Sequence, residues 1–245
     1  MEPVTPQYSL VLVALSYVIS VLGSFTALRL LRQGVEAAGG DRRRAFAAGA
    51  LAMGGGAIWS MHFIGMLAFD MGMPVSYDIP TTLASLVVAV LVTGFGLWVV
   101  GRGPKRPLLL VGGGTAMGVG VAAMHYTGMA AMRMQATLTY DMTILAISVG
   151  IAVVASIAAL WLVFHADRGW QRIGSALVMG LAVCGMHYTG MKAAIMGHDP
   201  ALPPAAPGFS PEILAYVIFL LTLVILSVAW LMVGGREVAR IQRLA

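Results

Sequence analysis

The sequence predicts an all-α membrane protein of seven transmembrane helices, and three observations predict it. Hydrophobic residues make up 59 % of the chain against 10 % charged, at a mean hydropathy of +0.88, so most side chains must face something other than water. Seven apolar runs each exceed the roughly 20 residues that a helix needs to cross a bilayer. A six-residue stretch, Met186–Met191, recurs unchanged at Met124–Met129 and in looser form at Met61–Met66. Barrel strands would be about 10 residues long and alternating, and no run alternates. The single cysteine, Cys184, excludes an internal disulfide.

The runs cover residues 8–31, 45–69, 80–101, 107–132, 142–164, 170–196 and 211–233. The first follows an N-terminus without basic residues and reads as a retained anchor rather than a cleaved signal peptide. Pro80, Pro107 and Pro211 fit first-turn positions, where a missing N–H leaves no bond unmade. Of fifteen Lys and Arg, thirteen fall on one side of the membrane, leaving only Arg133 and Lys192 on the other. The positive-inside rule then places the N-terminus outside and the C-terminus in the cytoplasm. The net charge of +5 is explained by topology and lipid head groups, so the bilayer is the expected partner and nucleic acid is not.

The repeat organises the domain. His62 to His125 is 63 residues and His125 to His187 is 62, a regular period that marks a duplicated unit. Tyr77-Asp78 and Tyr140-Asp141 also recur 63 apart, so the unit is a whole hairpin. Residues 45–101, 107–164 and 170–233 form three parallel hairpin repeats, with 8–31 as an extra N-terminal helix and 234–245 as a cytoplasmic tail or the start of a linker carrying Arg236, Arg240 and Arg243. The third unit departs from the others in its longer loop, Gly197–Ser210, with Glu212 in the acidic place. Parallel repeats suggest a pseudo-threefold bundle about the membrane normal.

Each repeat sets one His among thioethers. His62 and Met66, His125 and Met129, and His187 and Met191 are four apart, hence on one helix face. Gly65, Gly128 and Gly190 follow each His by three and permit close helix approach. His62 lies eight before Asp70 and His125 eight before Arg133, which places both roughly 12 Å inside the outer helix end. His187 lies five before Lys192, whose stem can snorkel outward, so the three imidazoles should share one depth in the outer half of the membrane.

An ionisable group inside a membrane helix is by default functional. One buried His alone more often satisfies a carbonyl or hydroxyl; three at matching depth, with the first repeat keeping Met, His, Gly and Met while changing to Phe63 and Ile64, favour a metal site. Twelve of the 17 Met lie in the windows 61–73, 124–142 and 186–196. Thioether with imidazole favours copper, whereas Mg or Ca would want carboxylates. Zinc through three His explains the nitrogen but not the sulfur, and haem ranks last. Cys184, three before His187, reads as small-residue packing rather than a fourth ligand, His165 as an interfacial side chain and His198 as solvated loop. Tyr126 and Tyr188 are candidates to hydrogen-bond the site. No carboxylate pair, placed serine or phosphate loop appears, so no enzyme is expected.

The motifs Met61–Met66, Met124–Met129 and Met186–Met191, on alternate helices of a seven-helix chain, resemble those of the bacterial MHYT domain family. The resemblance implies a non-enzymatic sensor domain of the bacterial cytoplasmic membrane that binds copper and responds to a diatomic gas such as O2, CO or NO. The ligands it implies are His62, His125 and His187 with Met61, Met66, Met124, Met129, Met186 and Met191. It also implies a cytoplasmic diguanylate cyclase or phosphodiesterase as output partner. The rival reading is a copper handling or transport protein without a signalling role.

Overall fold

The computed structural model describes residues 2–3, 7–166, 168–199, 201–202 and 207–244, with side chains for those between 7 and 232. Asp167, part of the loop after Gly197, and the side chains of Arg236, Arg240 and Arg243 lie outside the described residues. Seven helices are long and apolar enough to cross a membrane: α1 (Leu10–Glu36), α2 (Gly39–Leu67), α3 (Ile79–Gly101), α4 (Pro107–Ala130), α5 (Met142–His165), α6 (Gly169–Ala193) and α7 (Pro211–Leu244). The chain is a multi-pass membrane protein of the all-α class.

Local chemistry explains the helix boundaries. Asp78 and Asp141 cap α3 and α5, their carboxylates accepting from Thr81 N at 3.0 Å and Thr143 N at 2.8 Å, which satisfies free N–H groups of the first turn. The motif-bearing helices stop earlier than apolarity alone suggests. Met132 and residues 194–196 leave the helix for short strands: β1 (Ser76–Tyr77) pairs antiparallel with β2 (Met132–Arg133), and β3 (Ala136–Tyr140) pairs antiparallel with β4 (Ala194–His198). Strand pairing gives these backbone groups partners once the helical ladder ends.

The motif helices α2, α4 and α6 form an inner ring, with α3 wedged between α2 and α4, and α5 between α4 and α6. The third flanking place, between α6 and α2, is taken by α1, whereas α7 packs against α1 and α2. The structure thus refines the repeat: α1 completes the threefold arrangement and α7 is the added helix. The motif end shows the same symmetry in its hydrogen bonds. Asp78 N donates to Ala131 O, Asp141 N to Ala193 O and Ser9 N to Ala68 O, at 2.8, 2.8 and 2.9 Å.

Helix α2 is the most enclosed. In its apolar window 89 % of residues are buried, against 33 % for α1, α3 and α5, because α7 covers the face that the other motif helices leave open. Residues Leu51–Trp59 of α2 form π-helical turns. On α3, Leu83, Val87, Leu91 and Phe95 are exposed at four-residue intervals, an apolar stripe for lipid.

Candidate metal centre

The inner ring brings His62, His125 and His187 into contact at one level. His62 Nδ1 lies 3.0 Å from His187 Nδ1 and 3.0 Å from His125 Nδ1. Ring centroids are 4.8, 5.0 and 5.2 Å apart, all edge-to-face. The imidazoles are at most 1 % exposed, and one ligand atom from each lies within 4.8 Å of the others. Convergence at matching depth, expected from the spacing, is what the helices produce.

Glycine makes it possible, in a cyclic manner the sequence does not announce. A Cβ on Gly128 would strike His62 Nε2; on Gly190, His125 Nε2; and on Gly65, His187 Nε2. Each ring therefore lies over the glycine of the next repeat, and all three Nε2 atoms are buried without a hydrogen-bond partner.

The remaining motif positions also follow the threefold pattern. Tyr126 packs on Tyr140, Phe63 on Tyr77 and Tyr188 on Tyr8, with centroids 5.3, 6.2 and 5.9 Å apart. Tyr126 Oη meets Ser148 Oγ at 2.6 Å and Tyr188 Oη meets Ser16 Oγ at 3.0 Å. Where Phe63 has no hydroxyl, Trp59 Nε1 donates to the corresponding Ser85 Oγ at 3.0 Å. So Tyr126 and Tyr188 anchor the motif helices to their flanking helices rather than the His rings. Burial pushes the phenols of Tyr8 and Tyr140 up to about 12, so this aromatic collar stays neutral.

The serine set was missed in the sequence, although its signal was present. Ser16, Ser85 and Ser148 each follow a tyrosine by eight, after Tyr8, Tyr77 and Tyr140. Tyr8-Ser9 is the counterpart of Tyr77-Asp78, concealed by the exchange of Asp for Ser.

All six motif methionines are buried, at 0–2 % exposure. Met186 lines a cavity beneath the histidines, whereas Met191 lines a cleft of about 560 Å³ at the motif end, beside Tyr188, Lys192 and Met196. Among the described residues the histidine group contains no carboxylate or cysteine; Cys184 is a buried free thiol outside it. His165 is remote, its Nδ1 2.8 Å from Trp161 O. His198 is held in β4 with its Nδ1 2.9 Å from Gln135 O, in a strand rather than the solvated loop expected there. Glu212 accepts from Ser210 Oγ at 2.7 Å.

The donor set fits a soft or borderline metal ion. Two nitrogens on one ion at about 2.0–2.1 Å in tetrahedral geometry sit about 3.3 Å apart; the two pairs that His62 makes, at 3.0 Å, are within tenths of an ångström of that separation, and all three ligand atoms lie within 4.8 Å of one another. Hydrogen bonding alone serves the three Nδ1 atoms poorly, because His62 Nδ1 either donates one proton or accepts at one lone pair.

Fold and site together define a multi-pass membrane domain built around a threefold histidine repeat. The chain belongs to the MHYT family, described as "Bacterial signalling protein N terminal repeat", whose pattern matches residues 55–113 and 118–176. Over 227 residues, 91 % of the chain, it is 44 % identical to the bifunctional diguanylate cyclase/cyclic di-GMP phosphodiesterase MucR of Pseudomonas aeruginosa. It is 35 % identical over 205 residues to the cyclic di-GMP phosphodiesterase NbdA of the same organism, and 34 % identical over 203 residues to the signaling protein YkoW of Bacillus subtilis, each match covering 80 % of the chain. The chain spans 33 %, 26 % and 25 % of these relatives' lengths. No solved structure matches it.

Proposed function

We propose that this signalling domain is a copper-dependent sensor: His62, His125 and His187 hold one copper ion through Nδ1, with motif thioethers completing its soft surroundings. A change of redox state, or binding of O2, CO or NO, alters the packing of the motif helices. The single observation carrying this reading is the convergence of three buried Nδ1 atoms with no carboxylate among them. The sulfur-rich helices favour copper over zinc. Rings packed 4.8–5.2 Å apart leave no gap for a macrocycle, which argues against haem. The domain itself catalyses nothing in this reading. Its output is a cyclic di-GMP cyclase or phosphodiesterase following α7 in the cytoplasm, with the motif end facing outward across the bacterial inner membrane.

A permeation path has less support. Beneath the histidines the cavity is only about 30 Å³, and Ile58, Val121 and Val183, each four residues below its His, lie in its lining.

Elemental analysis of purified protein beside a His62→Ala/His125→Ala/His187→Ala variant tests the proposal. Near-stoichiometric copper in the parent, lost in a variant that keeps its helix content, is expected. A parent that takes up no copper after anaerobic Cu(I) loading would overturn it and return the trio to a packing role.

A further inference from the structure

We infer that a second, purely thioether metal site lies on the threefold axis below the histidines, formed by Met53, Met117 and Met179 and selective for a soft monovalent ion such as Cu(I) or Ag(I). It does not depend on the histidine centre holding a metal.

The three methionines come one from each motif helix and line a single cavity of about 30 Å³, space for one water-sized occupant. Met117 and Met179 precede their histidines by eight residues and Met53 by nine. The odd residue is absorbed by the π-helical turns Leu51–Trp59, since a π turn takes up one more residue than an α turn. All three side chains thereby reach the same cavity, about 12 Å below the histidines at 1.5 Å per residue. Ile58, Val121 and Val183 form the layer between, so the cavity carries two threefold sets, and Ser24 of α1 with Ser156 and its neighbouring alanines of α5 close its sides.

The lining decides the ligand class. Besides the methionines, which include Met186 from above, the only polar groups are the hydroxyls of Ser24 and Ser156. With no imidazole, carboxylate or charged group, the cavity has nothing to offer Zn(II) or Cu(II), whereas neutral thioethers suit Cu(I). A monovalent ion also carries the smallest charge into a low-dielectric site. Met117 Sδ now rests against α3, 3.0 Å from where a Cβ on Gly96 would sit; Met has three rotatable bonds, and rotation about them swings the sulfur toward the axis.

The test compares the full chain in detergent micelles with Met53→Leu/Met117→Leu/Met179→Leu, a nearly volume-conserving change, and with the triple His→Ala variant. Each is loaded anaerobically with Ag(I) or, separately, Zn(II), then desalted and analysed for metal. The Leu variant is expected to hold one equivalent of Ag(I) fewer than the parent at unchanged Zn(II) content. The His variant is expected to keep one Ag(I) whose X-ray absorption spectrum shows sulfur neighbours only. Equal Ag(I) in parent and Leu variant overturns the site, as does Ag(I) bound through nitrogen in the His variant. If the triple Leu variant does not fold, Met179→Leu alone decides: a tenfold weaker Ag(I) affinity supports the site and an unchanged one overturns it.

Discussion

Gly190→Ala is the sharpest probe of the histidine centre, because it leaves every proposed copper ligand in place and moves one of them. The new Cβ would overlap His125 Nε2 and come within 2.9 Å of Cδ2 and 3.1 Å of Cε1, where ordinary contacts begin at 3.4 Å. To relieve this, the imidazole has to retreat by about 1 Å as a rigid plate, carrying Nδ1 with it, several times the ~0.2 Å tolerance of a metal–ligand bond. Overpacking of this kind costs about 1–3 kcal/mol, and at 1.4 kcal/mol per decade copper affinity should fall roughly 5- to 150-fold. Competition against a chromogenic Cu(I) chelator measures it. Gly174→Ala and Gly185→Ala on the same helix are the controls: a Cβ there meets nothing within 4 Å, and affinity should hold. An affinity for Gly190→Ala within twofold of the parent, in a folded protein, would refute the claim that the glycine positions the ring.

Cys184→Ala should leave copper content unchanged, since the thiol stands outside the histidine group; a lost equivalent would make it a ligand. Tyr126→Phe removes the 2.6 Å hydroxyl contact to Ser148, which keeps its bond to Leu145 O; a loss of about 0.5–1.5 kcal/mol should appear as a lower Tm without altered metal content. Asp78 is held below the usual carboxylate range, chiefly by its hydrogen bonds from Thr81 and then by Arg133. A depressed native pKa stabilises the fold above the unfolded value of about 3.9 and is lost as pH drops through the native value. The Tm advantage of the parent over Asp78→Asn should therefore be full at neutral pH and shrink only below about pH 4; an advantage independent of pH down to the acid limit would contradict this.

The seven spans, their class and the histidine trio were legible because hydropathy fixes which segments cross lipid and a regular period fixes which residues share a depth. Less legible was the partner each helix would choose. The repeated hairpin reading gave α6 and α7 to one another, but contacts within the bilayer follow shape. Gly180 packs so closely on α1 that a Cβ would come within 2.6 Å of Val21 Cγ2, so α1 fills the place beside α6. Tyr8-Ser9 encoded that role behind a Ser-for-Asp exchange and a spacing of 69 rather than 63 to Tyr77. The π turns of α2 were likewise hidden, although the run Gly54-Gly55-Gly56 offers the backbone freedom they use. Met53, Met117 and Met179 lie outside the sulfur-rich windows of the motif end, eight or nine residues before each His, as single methionines without a local excess.

In the proposed sensor the threefold centre reports through an asymmetric exit, and α7 is placed to provide one. α7 leads to the C-terminus and touches α2 but is no part of the ring. Its Thr222 Oγ1 meets Ser60 Oγ at 2.7 Å, two residues from His62, and Ser60 Oγ also bonds Gly55 O inside the π turns. In that sensor, a shift of His62 on changing ligand would reach α7 through this hydroxyl pair and a stretch of π-helical backbone whose hydrogen bonding is irregular, as π turns at functional sites commonly are. Thr222→Val severs the hydroxyl link while Ser60 keeps Gly55 as a partner, so metal affinity should stay within about twofold, a change of ~0.4 kcal/mol. The copper-dependent shift of a spin label at the end of α7 should shrink or vanish. A shift as large as the parent's would mean that the signal leaves by α1 or through the lipid-facing helices, and that the break in threefold symmetry at α2 serves packing alone.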